Sequence, residues 1–462
     1  MAKSSWSKTL SVVVGAGVFS LIVGLSAGER VRPVTRARVT VSTSTLESRV
    51  SPTALGVNTS MNDGNLYTSG VTARLKSLGV KLLRWPGGSF ADTFAWSTEP
   101  FALEQFGGLL QQAKAQAVIT VNYGSGTPAQ AAAEVRFADV THHYGIKYWE
   151  IGNEQYGDGE YQHNAWEENF RSKLGPAAYA KNSLKFIQAM RAADPAIKIG
   201  VVATIPGVWP SGLKPYWDRT MLPIVAKHIN FVVLHWYPND APVSNAVLLR
   251  QPAAIGGYMA TLKAYLQRFA GAYAKHIQIF VDETNNSSTS DSQTISVANA
   301  LFLAKDYNNW LKNGAANVSW WDLHTAQGNF TTSDPGFGLI SAGLAGQPPL
   351  NGPLPPYFGF RLVHFLVAPG DSYVEAKSSQ ALLTSYAVKD PQGGLGLMLV
   401  NTSPTQSYRT SIAGVRGFDG ATATVRLYGQ GSKQIATSSI KWTGSVTSPP
   451  YSITEISISK KK

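Results

Sequence analysis

The chain of 462 residues is 44% hydrophobic and only 15% charged, against roughly 25% charged in an average soluble protein, which excludes a disordered tail protein and a coiled coil. Its net charge of +12 is spread without a dense basic helix or aromatic-basic ribbon, so a nucleic-acid partner is not expected. The absence of cysteine excludes a disulfide framework, a thiolate metal site and a cysteine nucleophile, while 12 Trp, 19 Tyr and 18 Phe suit flat, uncharged ligands such as sugars.

Lys3 and Lys8 precede an apolar run over residues 10–27. That is the layout of a secretory signal, and the run is also long enough for a retained anchor helix. Residues 1–34 are therefore a signal peptide or an N-terminal membrane anchor. Either one places the bulk of the chain outside the cytoplasm, in the cell envelope or beyond. Residues 35–50, with Val39, Val41 and Thr43 in alternation, read as a strand that joins a sheet formed by the C-terminal part.

From residue 51 the pattern becomes cyclic. Short apolar runs fall at 54–58, 80–84, 117–122, 147–151, 197–202, 231–235, 277–281 and 318–321. Helical patterns at 103–116, 128–144, 176–193, 253–274 and 294–313 separate them, and a last helix opens at Pro355-Pro356. Alternating strands and helices imply a parallel sheet, and eight repeats over residues 51–369 fit a (β/α)8 barrel. No Gly-rich dinucleotide loop follows any strand, which disfavours an open doubly wound sheet, and no cofactor is expected. Over residues 370–462 the pattern changes to short alternating segments between turn clusters, as in an antiparallel β-sandwich.

A barrel of this kind carries its site at the C-terminal ends of its strands. The polar residues there are Asn58, Arg84, Asn122, Asn153, Glu154, Thr204, His235, Tyr237, Glu283 and Asp322. Glu154 ends the fourth run and Glu283 the seventh, nearly opposite each other. Two carboxyls ~5–5.5 Å apart, one protonated and one ionised, can carry out retaining glycoside hydrolysis. Asp282 and Glu283 are adjacent on a strand, so alternation sends one to the barrel mouth and the other away. Glu283, last before the Thr284-Asn285 turn, is assigned to the mouth. His235 and Tyr237, two apart, point to the same side. No His, Asp and Glu cluster has metal-ligand spacing, and no metal is expected. Two sequons, Asn58-Thr59-Ser60 and Asn285-Asn286-Ser287, fall on the same face and are discounted, because a glycan there blocks substrate.

Asn153-Glu154 after strand four and Glu283 after strand seven resemble the catalytic pair of the clan A glycoside hydrolases. Arg84-Trp85-Pro86-Gly87-Gly88-Ser89-Phe90 resembles the Arg-x-Pro-Gly-Gly segment of the α-L-arabinofuranosidases, and His235-Trp236-Tyr237 their His-x-Tyr pair. Trp321 ends strand eight, where the clan often places a sugar-stacking aromatic. The resemblance implies that Glu154 is the acid/base and Glu283 the nucleophile. It also implies that Asn153 bonds the sugar 2-hydroxyl, that Tyr237 keeps the nucleophile ionised and that Arg84 stabilises the charged site. Asn58 and His235 complete the expected substrate-binding set. The arabinofuranosidases often carry a Glu after strand one, where this chain has Asn58-Thr59-Ser60. The β-glucuronidase/heparanase-like and β-xylosidase-like families share the two-glutamate plan, so the sugar stays open. The expected activity is that of a secreted retaining glycoside hydrolase. The alternative is a carbohydrate-binding barrel without chemistry.

Overall fold

The computed structural model describes residues 34–159, 165–208, 216–325, 335–415, 417–418 and 420–459. The apolar run over residues 10–27, and with it the expected signal or anchor, lies outside them. Among the described residues no helix is long and apolar enough to cross a membrane.

Strand β1 (Val34–Arg49) comes first. Eight strands then close a parallel barrel: β2 (Leu55–Asn58), β3 (Leu82–Trp85), β4 (Gln116–Val121), β5 (Tyr148–Ile151), β6 (Lys198–Val202), β7 (Phe231–Trp236), β8 (Gln278–Thr284) and β9 (Asn317–Trp320). Residue Val57 of β2 pairs with Trp320 of β9 and completes the ring. Around it lie α1 (Val71–Leu78), α2 (Pro100–Ala113), α3 (Pro128–Val135), α4 (Pro176–Ala193), α5 (Trp217–Val225), the short α6 (Asn245–Leu248), α7 (Ile255–Ala270) and α8 (Val297–Lys312). Local chemistry sets their starts. Before α3, Thr127 and Gln130 cap each other reciprocally and Pro128 supplies a preset φ in the first turn.

The barrel interior has two layers. Leu82, Val118, Phe231, Val233 and Phe280 form an apolar floor, with Phe231 and Phe280 stacked at 4.5 Å. Gly200 makes room for it, since a Cβ there would sit 2.1 Å from the Phe231 ring. One inward position further along the strands, the side chains turn polar: Asn58, Arg84, Thr120, Glu150, His235 and Asp282. This polar layer underlies the mouth.

Helix α9 (Pro355–Leu366) follows the barrel, and then come β10 (Ser372–Ser378), β11 (Leu383–Lys389), β12 (Leu395–Asn401), β13 (Ser407–Ala413), β14 (Thr422–Gly429), β15 (Ala436–Lys441), β16 (Ser445–Ser448) and β17 (Ser452–Ile458). With β1 they form one nine-stranded sheet in the order β15-β14-β17-β12-β11-β10-β1-β13-β16. It is antiparallel except for β1 against β13. The sheet curls over on itself: Ser448 at the β16 edge meets Thr454 of β17 at 3.1 Å. The two layers of the expected sandwich are thus one continuous, curled sheet.

Period-2 alternation gives this sheet two apolar faces. On β12, Leu395, Leu397 and Leu399 fill the inside of the curl, while Met398 and Val400 face the barrel. Helix α8 lies between barrel and sheet and is buried along nearly its whole length. Several of its polar side chains are paired. Tyr373 donates to Asn308 at 2.7 Å, and Asn309 donates to the Tyr386 hydroxyl at 3.0 Å.

Candidate active site

The site is assembled from strand ends. Arg84, fully buried on β3, reaches upward with every arm of its guanidinium engaged. Nε meets Glu150 at 2.9 Å and Asp282 at 3.1 Å; Nη1 donates to Glu283 at 2.6 Å and to Asn58 at 3.2 Å; Nη2 donates to Asn153 at 2.7 Å. Thr120 gives Glu150 a further bond of 2.7 Å. Burial pushes the Glu150 carboxyl upward, against the pull of Arg84.

Asp282 and Glu283 both join this cluster, which corrects the alternation argument. The pairing of β7 with β8 steps from Leu234↔Val281 to His235↔Glu283, so one residue is bulged out of register. A bulge re-aims the side chain that follows it. Asp282 turns inward as the strand dictates, and the shift brings Glu283 to the same mouth.

Glu283 accepts a 2.8 Å bond from Tyr237 in addition to that from Arg84. Glu154 accepts from Tyr156 at 2.9 Å and from the Trp166 indole at 2.7 Å. The Glu154 backbone is left-handed, at φ 31°, a conformation that costs a non-glycine residue about 1–3 kcal/mol and clusters at functional sites. His235 stands between the two glutamates, with Nδ1 2.8 Å from Glu154 and 3.4 Å from Glu283, and Nε2 3.1 Å from Asp282. Burial alone would strip its proton, but the three carboxylates outweigh burial and hold His235 protonated. Burial also works upward on Glu154, yet the hydrogen bond and charge of His235, with Trp166 and Tyr156, bring it below its ordinary value. The surroundings thus favour the ionised form of Glu154 and the protonated form of His235 beside it.

An oxygen of Glu154 and an oxygen of Glu283 lie within 4.8 Å of each other. They face a cavity of about 280 Å³ whose wall includes Gly88, Ser89, Asn153, Tyr237 and Trp321. Gly87 and Gly88 both have positive φ, and a Cβ on Gly88 would come 2.9 Å from the Trp321 ring, so only glycine lets the platform close down. Larger hollows of about 430 and 620 Å³ lie elsewhere, with no convergent carboxylates.

The structure therefore gathers Asn58, Arg84, Asn153, Glu154, His235, Tyr237, Glu283 and Trp321 at one mouth. It leaves others out. Asn122 closes its own turn on Ser125 and Gly126, Thr204 pairs with Asp218 at 3.0 Å, and the Asp322 carbonyl ties down Leu339. Asn58 and Asn285 are both fully buried, which closes the two sequons. Thr120, Glu150, Tyr156, Trp166 and Glu167 belong to the site but carried no strand-end signal. Two triads, Glu150-His235-Asp282 and Glu154-His235-Glu283, have donor atoms close enough to surround an ion. Arg84 stands among these donors as a cation, bonded to Glu150, Asp282 and Glu283.

No family model matches the chain. Among curated proteins it is similar to a probable α-L-arabinofuranosidase C of Aspergillus clavatus, at 23% identity over 30% of this chain and 33% of that protein. It is also similar to an intracellular exo-α-(1→5)-L-arabinofuranosidase of Bifidobacterium longum, at 24% identity over 38% and 36%. The matched region spans about a third of the length of these relatives. Among solved structures, an α-L-arabinofuranosidase from Thermotoga maritima superposes with a TM-score of 0.73 at 17% identity, covering 91% of this chain and 99% of that one. A xyloglucanase of Paenibacillus polymyxa from glycoside hydrolase family 44 gives 0.67 at 12% identity, covering 92% and 100%. These likenesses establish the fold, a closed parallel barrel with an appended curled sheet.

Proposed function

We propose that the protein is a retaining glycoside hydrolase acting on α-L-arabinofuranosides, with Glu283 as nucleophile and Glu154 as acid/base. The observation that carries this reading is the approach of their oxygens to within 4.8 Å across a cavity able to take one sugar ring, against ~5–5.5 Å between the carboxyls of retaining enzymes and ~6.5–9.5 Å for inverting ones. Glu283 attacks the anomeric carbon from its own side of the ring. Arg84 and Tyr237 hold it correctly aimed until the bond forms. Glu154 delivers a proton to the departing oxygen, and His235, protonated at 2.8 Å, supplies it. In the second half-reaction Glu154 returns as base and activates water. The names of the curated relatives favour arabinofuranose as the sugar. Lys3, Lys8 and the apolar run over residues 10–27 support export.

Nitrophenyl α-L-arabinofuranoside, β-D-xyloside and β-D-glucuronide are the substrates to compare, with the first-formed anomer read by NMR. Hydrolysis of the arabinofuranoside with retained configuration is expected. An inverted first product overturns the double displacement. Binding of oligosaccharides without hydrolysis of any glycoside favours the non-catalytic alternative.

A further inference from the structure

Behind the Asn153-Glu154 pair lies a second carboxyl pair for which the proposed chemistry has no use. Asp92 closes the single 3-10 turn Ser89–Asp92, in which residues three apart share a side. Glu167 follows Trp166 on the segment that covers the mouth. Both carboxyls are buried, at 0% and 4% exposure. The Glu167 Oε1 atom accepts from Ser89 Oγ at 2.5 Å and from Asn153 Nδ2 at 2.8 Å. Asp92 accepts from the Asn153 backbone at 2.9 Å, from Gln155 Nε2 at 2.8 Å and from the backbone N–H groups of Tyr123 and Gly124 at 3.3 and 3.2 Å. The Glu167 and Asp92 carboxyls stand close enough to act on each other's charge. The second oxygen of Glu167, Oε2, is buried and takes no N–H or O–H donor among the described residues.

Two buried carboxylates this close repel each other when both are ionised, which favours a proton on one of them. The cations nearby are committed elsewhere, Arg84 to Glu150, Asp282 and Glu283, and His235 to Glu154, Asp282 and Glu283. Asp92, with four N–H donors, is the natural anion, and Glu167 Oε2 the natural O–H. Burial and the negative charge of Asp92 both push the Glu167 carboxyl upward, with Glu154 adding to them.

We propose that Glu167 and Asp92 act as one positioning unit that fixes how Asn153 and Ser89 meet the sugar. Asn153 is held at both ends of its amide: Oδ1 accepts from Arg84 and one Nδ2 hydrogen goes to Glu167. It can turn only its remaining N–H toward a sugar hydroxyl. Ser89 gives its proton to Glu167 and faces the cavity as an acceptor. Trp166 and Glu167, adjacent in the chain, thereby set Glu154 and Asn153, also adjacent. This rests on the glycosidase reading given above.

The test has two arms. In the infrared spectrum at pH 7, wild type minus Glu167→Gln should show a protonated-carboxyl band. No such band means that the pair does not share a proton and overturns the proposal. In kinetics, Glu167→Gln keeps a donor toward Asp92 and an acceptor toward Asn153, so it should retain clearly more activity than Glu167→Ala. Glu167→Ala, which frees Asn153, should lower kcat by about 10- to 100-fold with little change in KM. On the 2-deoxy analogue of the substrate, wild type and Glu167→Ala should converge, which a merely structural loss would not produce. An equal deficit on both substrates, or a Gln variant as poor as the Ala variant, overturns the positioning role. If the wild type hydrolyses no glycoside, the glycosidase reading falls while the infrared band still decides the shared proton.

Discussion

Two arginine–glutamate pairs, each with a buried carboxylate, can be set side by side. Arg84 and Glu283 meet at 2.6 Å in the barrel mouth, and Arg426 and Glu455 meet at 2.6 Å across β14 and β17. On the sheet one cation serves one carboxylate, a serine closes the other oxygen at 2.5 Å, and the guanidinium covers the Phe365 ring at 4.2 Å. Both oxygens of Glu455 are hydrogen-bonded. In the mouth one arginine is shared by Glu150, Asp282 and Glu283, and a histidine by Glu154, Asp282 and Glu283. Acid outnumbers base beside an open cavity. Burial of a carboxylate is common to both places. What distinguishes a reactive site is negative charge left undercompensated where a ligand can arrive.

Deleting residues 371–462 should break the comparison most severely. It removes every partner of β1 and uncovers α8 and the barrel-facing flank, so aggregation or loss of the cooperative thermal transition is expected. A soluble, fully active barrel would show that the sheet is dispensable. Next come the two glutamates themselves. Glu283→Gln should lower kcat by several powers of ten, about 10⁴-fold or more, with the thermal midpoint nearly unchanged. Glu455→Gln should do the reverse, leaving kcat intact and costing about 1–3 kcal/mol of stability by denaturant titration. Equal effects of the two on kcat would erase the distinction. The last concerns pH, through His364 on α9. Burial, with Lys81, Arg361 and Arg426 nearby, pushes it down to about 4. A lowered folded value means that the unfolded chain takes the proton first. Stability is then full above about 6.5 and lost as pH falls toward 4, by up to about 3 kcal/mol. The wild type should lose a few degrees more of Tm over that window than His364→Gln; parallel curves would show that His364 does not titrate as argued.

The barrel strands were legible because each is buried on both sides and reads as a short apolar run closed by a polar residue. The last helix opened where Pro355-Pro356 placed it. Helix α5 escaped notice because Pro223 interrupts its pattern, and β15 because Ala-Thr-Ser-Ser-Ile-Lys is almost wholly exposed and has little apolar alternation to detect. At the site, strand ends gave Asn58, Arg84, Glu154, His235 and Glu283 their places. The β8 bulge that unites Asp282 with Glu283 is a matter of register between strands, which one strand's sequence does not carry. Trp166 and Glu167 arrive from an irregular segment with no period to read, and Glu150 looks like any residue of a strand interior until Arg84 is placed beneath the mouth.

The place of β1 has a consequence for the order of assembly. It is the first described strand, yet it sits inside the sheet between β10 and β13, with Arg38 bonded to Ser379 across 341 residues of sequence. The barrel's neighbours are mostly local and can form as the chain is made. β1 must wait until its partners exist, and closing so long a loop is slow. Until then an apolar strand with Val39 and Val41 is unpaired, and the same strand on a second chain is an available partner. Association of chains during synthesis or refolding should therefore begin at this strand rather than at the barrel.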